Sequence, residues 1–229
     1  MFTGIIEALG RIDRVESKGQ DLVLTINSGA LDLSDVRLGD SIAVNGVCLT
    51  VVQLLNQGFV ADVSAESLVH TDMAKYQLGT QVNLEKALTL STRLVGHLVS
   101  GHVDGIGQVV QRYSEGRSVR FDISCPDSLS KYIANKGSIT IDGVSLTVTG
   151  LNEGGFSLNI VPHTVAQTTI ESYRVGQNIH VEVDLMARYA ERLLSANALK
   201  SESSNEAVHK KEASSKLDQA FLSEHGFLR

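Results

Sequence analysis

Tryptophan is absent from this chain, and proline and cysteine occur only twice each in 229 residues. Two cysteines, Cys48 and Cys125, cannot make a disulfide framework, and neither sits in a CxxC pair. No histidine–cysteine cluster with metal-ligand spacing is present, and His97 and His102 are five apart, which is not the spacing of a helical zinc motif. No metal is therefore expected. Basic excess is missing too: the net charge is −6, which leaves no general cationic surface for a nucleic-acid backbone. No apolar run reaches the ~18 residues of a membrane span. The opening MFTGIIEALGRI has neither a basic flank nor a small-residue cleavage signal. The expectation is a cytoplasmic protein with no nucleic-acid or membrane partner.

What is present is ordinary for a globular chain: 42% hydrophobic residues, 20% charged, and 20 glycines that imply many turns. The informative feature is a repeat. Shifted by 97, the chain meets itself without a gap, so that VNGVCLTV (44–51) falls on IDGVSLTV (141–148). Residues 1–88 and 98–185 share 20 identities, where residue frequencies alone would give about five or six. Two similar domains follow, with a boundary in TLSTRLVGHLV (89–99).

Each half reads as β-structure. SIAVNGVCLTVVQL, FSLNIV, VRFDIS and NIHVEVDL alternate apolar and polar residues at strand period. Short strands, frequent glycine turns and about 90 residues per half fit a small closed antiparallel barrel. Leu33–Asp40 and Ser128–Gly137 are expected to be short helices ending at Gly39 and Gly137. After Asp184 the period becomes helical, with Leu185, Tyr189, Leu193 and Leu199 at mostly helical spacing and charges between them. Such a helix needs a surface to cover its stripe, which suggests subunit association. The domains expected are 1–97, 98–184, a helix over 185–200 and a polar tail over 201–229.

Positions identical in both halves, such as Gly46 and Gly143, are expected to serve turns. The unlike pairs carry more: Cys48 against Ser145, Ile5 against His102, Asn45 against Asp142, Asp62 against Asn159, Glu66 against His163. They swap reactive or titratable groups inside similar phrases, as two pockets of one shape with different chemistry would. A lone cysteine is ordinarily a small buried hydrophobe, but Cys48 stands beside the matched turn. His102 is flanked by glycines and titrates near neutrality, which suits acid–base work. His97 is read as structural, His70, His180, His209 and His225 as surface residues, and Cys125 as core. SGHVDGIG is glycine-rich without being a phosphate loop.

Taken together, MFTGIIE, VNGVCLTV, GHLVSGHVDG, IDGVSLTV, IVPHT and VEVDLMARYAERLL closely resemble the riboflavin synthase family, alpha-chain type, built from duplicated lumazine-binding barrels. The likeness spans about residues 1–195. It implies an all-β fold of two six-stranded antiparallel Greek-key barrels in tandem plus a C-terminal α-helix that helps form a homotrimer. The implied reaction is dismutation of two 6,7-dimethyl-8-ribityllumazine molecules into riboflavin and 5-amino-6-(D-ribitylamino)uracil, with no cofactor, at a site between subunits. Association with a lumazine synthase belongs to the same expectation.

Carried over by position, the N-terminal pocket would comprise Gly4, Ile5, Ile6, Cys48, Leu49, Thr50, Asp62, Val63, Ser64, Ala65, Glu66 and Ser67. The C-terminal pocket would comprise Gly101, His102, Val103, Ser145, Leu146, Thr147, Asn159, Ile160, Val161, Pro162, His163 and Thr164. Lys136 would reach a neighbouring subunit's ligand. His102 is the candidate for proton transfer and Cys48 for nucleophilic addition, with Ser41 supporting Cys48 and Ser145 and Thr147 orienting the second ring. The stretches 62–67 and 159–164 are expected to be extended and to read the ring edge. Val95 and Ser67 depart from the family's usual glycine and threonine, and the tail after Ser195 is longer than expected. The competing reading is a non-catalytic lumazine- or flavin-binding antenna protein. A ligand-free structural repeat would not account for the unlike reactive pairs.

Overall fold

The structure is a computed structural model, and it describes residues 1–195. Six strands make the first barrel: β1 (Ala8–Lys18), β2 (Asp21–Asn27), β3 (Ser41–Val44), β4 (Val47–Leu55), β5 (Gly58–Val63) and β6 (Gln81–Lys86). Six make the second: β7 (Gly105–Glu115), β8 (Ser118–Ser124), β9 (Ser138–Ile141), β10 (Val144–Asn152), β11 (Gly155–Ile160) and β12 (Asn178–Val183). Every strand of the second barrel starts 97 residues after its counterpart. The closed order β1-β2-β5-β4-β3-β6 is repeated in the second barrel, with antiparallel pairing throughout. The bulges repeat as well, at Ile12/Arg14 and Val109/Gln111 and at Val51/Gln53 and Val148/Gly150.

Period-2 alternation sends one residue set inward to each core. Ile12, Leu24, Ile42, Phe59 and Leu84 fill the first barrel; Val109, Phe121, Ile139, Phe156 and Val181 fill the second. SIAVNGVCLTVVQL is a hairpin, with the turn at Gly46 that the sequence leads one to expect. Asn45 and Gly46, at φ 46° and 78°, form the two-residue left-handed turn that Asn-Gly favours, and Asp142 and Gly143 repeat it.

Leu33–Asp40 is not a helix. The Asp32 carboxylate accepts from the Ser34 N–H and the Asp40 carboxylate from the Arg37 N–H, local bonds that compete with helical ones. Leu31 and Val36 of this region join the first core instead. Within Ser128–Gly137 only the start is helical, as part of α2 (Asp127–Ser130). Helix does appear where extended chain was expected: α1 (Ala65–His70) follows β5, and α3 (Pro162–Ala166) follows β11.

Both barrels belong to one compact unit, Met1–Ala187. The two hairpin turns meet so closely that a Cβ on Gly46 would lie 2.7 Å from the Gly143 nitrogen. Around them runs a buried polar junction. Asn83 donates to the Asp142 carbonyl and the Thr169 hydroxyl at 2.8 and 2.9 Å. Its repeat partner is His180, which is 1% exposed, so the surface placement expected for it is wrong. The outward face of β12 is covered by the other barrel. His180 Nδ1 donates to the Asn45 carbonyl at 2.9 Å, and Nε2 lies 2.9 Å from the Asp72 carboxylate. Burial disfavours a proton on His180, but the bond to Asp72 and the charge of Asp142 outweigh it and hold its pKa above the ordinary histidine value.

Residues 185–195 are helical, and Tyr189, Leu193 and Leu194 are exposed. Leu199, the rest of the helix expected to Lys200, the tail, His209 and His225 lie outside the described residues. Among the described residues no helix is long and apolar enough to cross a membrane.

Candidate functional site

Each barrel opens where two neighbouring strands part. The β4–β5 ladder ends at the pair Val51↔Ala61, although β4 reaches back to Val47 and β5 on to Val63. Cys48, Leu49 and Thr50 pair only with β3 on their other side, and Asp62 and Val63 only with β2. The chain leaves β5 at Ser64, whose hydroxyl caps α1 by accepting from the Ser67 N–H at 3.2 Å. A slot therefore lies between Cys48–Thr50 and Asp62–Ser67, edged by backbone and by outward-facing side chains. The second barrel repeats it: β10 and β11 part beyond Val148↔Leu158, leaving Ser145–Thr147 opposite Asn159–Thr164. There Pro162 starts α3.

The end of each slot is closed by the other half. The Cys48 N–H donates to the Gly101 carbonyl at 2.9 Å, and the Ser145 N–H to the Gly4 carbonyl at 2.7 Å. Val103 packs against the first core and Ile6 against the second. The expected grouping by position is thus crossed. Gly101, His102 and Val103 complete the slot of Cys48; Gly4, Ile5 and Ile6 complete that of Ser145. The linear offset misled because matched segments were assigned to their own barrels, whereas the segment before each first strand crosses over. Approach is tight: a Cβ on Gly4 would be 2.6 Å from the Ser145 Cβ, and one on Gly101 2.7 Å from the Cys48 Cβ, at φ of 75° and 80°.

The crossing pairs the reactive groups. Cys48 is half-buried, packed on its outer side against a small cluster of Phe2, Ala43 and Val99, and shares its slot with the exposed His102. In the other slot Ser145 Oγ lies 2.7 Å from His97 Nδ1, and His97 Nε2 lies 3.2 Å from Thr140 Oγ1. Burial lowers the His97 pKa, partly opposed by the charge of Asp184, so its ring is neutral near pH 7. With its proton on Nε2, the ring donates to Thr140 and accepts from the Ser145 hydroxyl, the arrangement of a general base on an alcohol. His97, read as structural from sequence, lies in hydrogen-bond contact with Ser145 of the candidate site. The available signal was its place within residues 89–97, which lie between the two aligned repeats.

Thr147 is exposed at the slot edge. Ser41 pairs with Thr50 and lines a groove of about 490 Å³ with Ile5, Glu85 and Val95; among the described residues no hydrogen bond joins it to Cys48. Lys136 is exposed at φ 66°, a left-handed conformation in which its counterpart is Gly39. The N–H groups of both donate to β-strand carbonyls, Lys136 to Val148 and Gly39 to Val51. Cys125 lies just past β8, half-buried against the second core, and burial raises its pKa.

Two buried carboxylates were missed. Glu85 Oε1 accepts from the Thr3 N–H and hydroxyl, both at 2.6 Å, and Oε2 from the Gly4 N–H at 2.9 Å. Glu182 does the same for Ser100 (2.7 and 2.7 Å) and Gly101 (3.1 Å). Desolvation pushes Glu85 up and Glu182 up to about 7, against the pull of those hydrogen bonds. Their identity across the repeat was visible; what they hold was not.

A family model for the lumazine binding domain matches residues 3–87 and again residues 100–184. The chain is 51% identical to a riboflavin synthase of Photobacterium phosphoreum over 194 residues, covering 85% of this chain and 89% of the relative. It is 39% identical to the riboflavin synthase of Bacillus subtilis strain 168 over 228 residues, 99% of this chain and 100% of that one. The second alignment runs through the tail, so the length beyond Ser195 is shared with a relative rather than unusual. Among solved structures, LumP complexed with riboflavin superposes with a TM-score of 0.73 at 24% identity, covering 80% of this chain and 99% of that one. LumP complexed with 6,7-dimethyl-8-(1'-D-ribityl) lumazine gives 0.72 at 23%, with the same coverage. At that identity the likeness speaks for the fold.

Proposed function

The chain belongs to the riboflavin synthase family of tandem lumazine-binding domains, and from that premise we propose that it is a transferase converting two 6,7-dimethyl-8-ribityllumazine molecules into riboflavin and 5-amino-6-(D-ribitylamino)uracil. The observation that carries this reading is the crossed pair of slots. Two slots of one backbone design suit two copies of one flat heterocycle, and their unlike reactive pairs, Cys48 with His102 and Ser145 with His97, suit a donor and an acceptor. Four carbons pass from one lumazine to the other. The two products together hold every atom of the two substrates, so the reaction calls for no outside oxidant, reductant or cofactor.

His102 and Cys48 carry the proposed chemistry of the first slot. His102 assists removal of a proton from the acidified 7-methyl group. Cys48, or a water it orients, adds at C7 of the partner ring. In the other slot, His97 draws the proton of the Ser145 hydroxyl, and Thr147 and Asn159–Thr164 hold the second ring and its ribityl chain. Bringing donor and acceptor together requires a slot of one protomer to face a slot of another, which is catalysis by proximity. The exposed Tyr189, Leu193 and Leu194 support association of protomers, and a homotrimer with Lys136 reaching the neighbour's ligand is the assembly we propose. Work in the cytoplasm and docking to a lumazine synthase extend the same reading.

The test is incubation of purified protein with the lumazine alone. One riboflavin and one pyrimidinedione should appear for every two lumazines consumed. Tight lumazine binding without turnover would replace the enzyme with an antenna protein.

A further inference from the structure

Glu85 and Glu182 stand on the closing strand of each barrel, facing outward, yet both are buried against the segment that precedes the first strand of their own half. Each carboxylate spans two successive backbone N–H groups and one hydroxyl of the segment that crosses to the opposite slot. The second clamped residue itself meets the reactive strand: the Gly101 carbonyl accepts from Cys48 and the Gly4 carbonyl from Ser145. No basic side chain forms an ion pair with either carboxylate among the described residues. A counter-ion-free buried carboxylate is a costly scaffold part, and a neutral residue would hold a merely structural loop at less cost.

The geometry points to Glu182 as a positioning residue for the Cys48–His102 slot of the opposite barrel, and to Glu85 as its counterpart for the Ser145–His97 slot. This rests on the proposed reaction for its kinetic consequences and on geometry alone for the rest. Two full acceptor oxygens fix Ser100 and Gly101, and thereby fix the height of His102 over Cys48. A glutamine offers one acceptor and places an NH₂ against an N–H, so the segment must let go at one point. The protonated acid is deficient in the same way. With its pKa near 7, Glu182 would let its slot loosen as the pH falls through neutrality. The groups facing it are Asp104 on the crossing segment, whose charge favours protonation, and Thr140 on β9 with the neutral His97 beyond it.

Glu182→Gln, Glu85→Gln and the wild-type full chain should be compared by turnover against pH and by iodoacetamide alkylation of Cys48, mapped by mass spectrometry. Glu182→Gln should lower kcat about tenfold or more at pH 8 with KM little changed. It should remove an acid limb that Glu85→Gln retains, and should speed Cys48 alkylation several-fold where Glu85→Gln does not. Should Glu182→Gln fail to fold, Ser100→Ala carries the test, moving the same readouts the same way, with Ser100→Thr restoring them as Thr3 does in the other clamp. Unchanged alkylation and turnover in Glu182→Gln, or equal acceleration of alkylation by both glutamine variants, would overturn the assignment. A wild-type chain that fails to turn over lumazine removes the proposed reaction, while the alkylation contrast still decides the clamp.

Discussion

Replacing Gly101 by alanine should damage the Cys48 slot out of proportion to the one methyl group added. Two effects act and can be separated. The first is backbone strain: at φ 80° a residue with a Cβ is disfavoured by about 1 kcal/mol, partly offset by the stiffer unfolded chain. The second is collision. The new methyl would lie 2.7 Å from the Cys48 Cβ and 2.8 Å from Phe2 Cε2, about 1 Å inside ordinary contact, and overpacking of that kind costs about 1–3 kcal/mol. Gly116 supplies the control, because it has φ 61° in the same half of the chain and nothing within 4 Å of where a Cβ would stand. Gly116→Ala should therefore lose about 1 kcal/mol and Gly101→Ala about 2–4. The collision can be relieved only by sliding the crossing segment off Cys48, which breaks the 2.9 Å bond and carries His102 away. A displacement of about 1 Å in a reacting pair can cost about a hundredfold in rate. Urea unfolding followed by circular dichroism gives the stabilities, and riboflavin formation from the lumazine gives the rates. Equal destabilisation of the two variants, or full turnover in Gly101→Ala, would refute the tight approach and with it the crossed slots.

Further outcomes follow from the same geometry. His97→Gln and Ser145→Ala should each slow turnover by about a hundredfold with riboflavin affinity retained, and the double variant should be little worse than either, since they act as one pair; additive losses in rapid-quench assays would separate them. Cys48→Ser and His102→Gln should likewise impair kcat more than ligand affinity, as read by fluorescence titration. For stability, Glu182 has a folded pKa raised from 4.5 to about 7, so its ionisation opposes folding. That stability is present below about pH 4.5 and is lost as the pH rises to about 7, by about 3 kcal/mol at most, and Glu182→Gln should flatten that slope in denaturant titrations. Sedimentation should report a trimer that Leu193→Glu dissociates; an unshifted trimer would move the interface off this helix.

The barrels were legible because their determinants are local. Period-2 alternation, Asn45-Gly46 and Asp142-Gly143 as turn formers, and a repeat that never slips leave few alternatives for strands of this length. What could not be read depended on which surface each strand's outer face would meet. His180 alternates with Ile179 and Val181 as a solvent-facing residue would, and only the covering barrel makes it a buried one. Glu182 reads the same way two residues later. The crossed slots were hidden for a related reason: nothing in the sequence near Gly4 or Gly101 says which barrel the segment will lie on. The missed helices α1 and α3 are short, and the polar phrases that precede them look like strand ends. Leu33–Asp40 erred in the other direction, since its helical spacing was outcompeted by Asp32 and Asp40 capping their own backbone.

The reciprocal contacts explain why the two halves remain so alike in some places and differ so sharply in others. Gly4 meets Ser145 as Gly101 meets Cys48, Gly46 meets Gly143, and Glu85 and Glu182 clamp matching segments. Contacts that exchange in this way are those of an isologous dimer, in which one patch must complement itself. A pair of separate identical barrels would be bound to that symmetry at every position, and its two slots would carry the same reactive residue. Joining the barrels through residues 89–99 lifts the constraint. Where the junction must still close on itself, glycine and glutamate are kept in both halves. Where it need not, Asn83 can stand opposite His180, Asn45 opposite Asp142, and Cys48 opposite Ser145. It is the joining segment that delivers His97 to Ser145. The asymmetry a two-substrate dismutation requires therefore enters twice, at unlike positions inside the repeat such as Cys48 and Ser145 and at the joining residue His97.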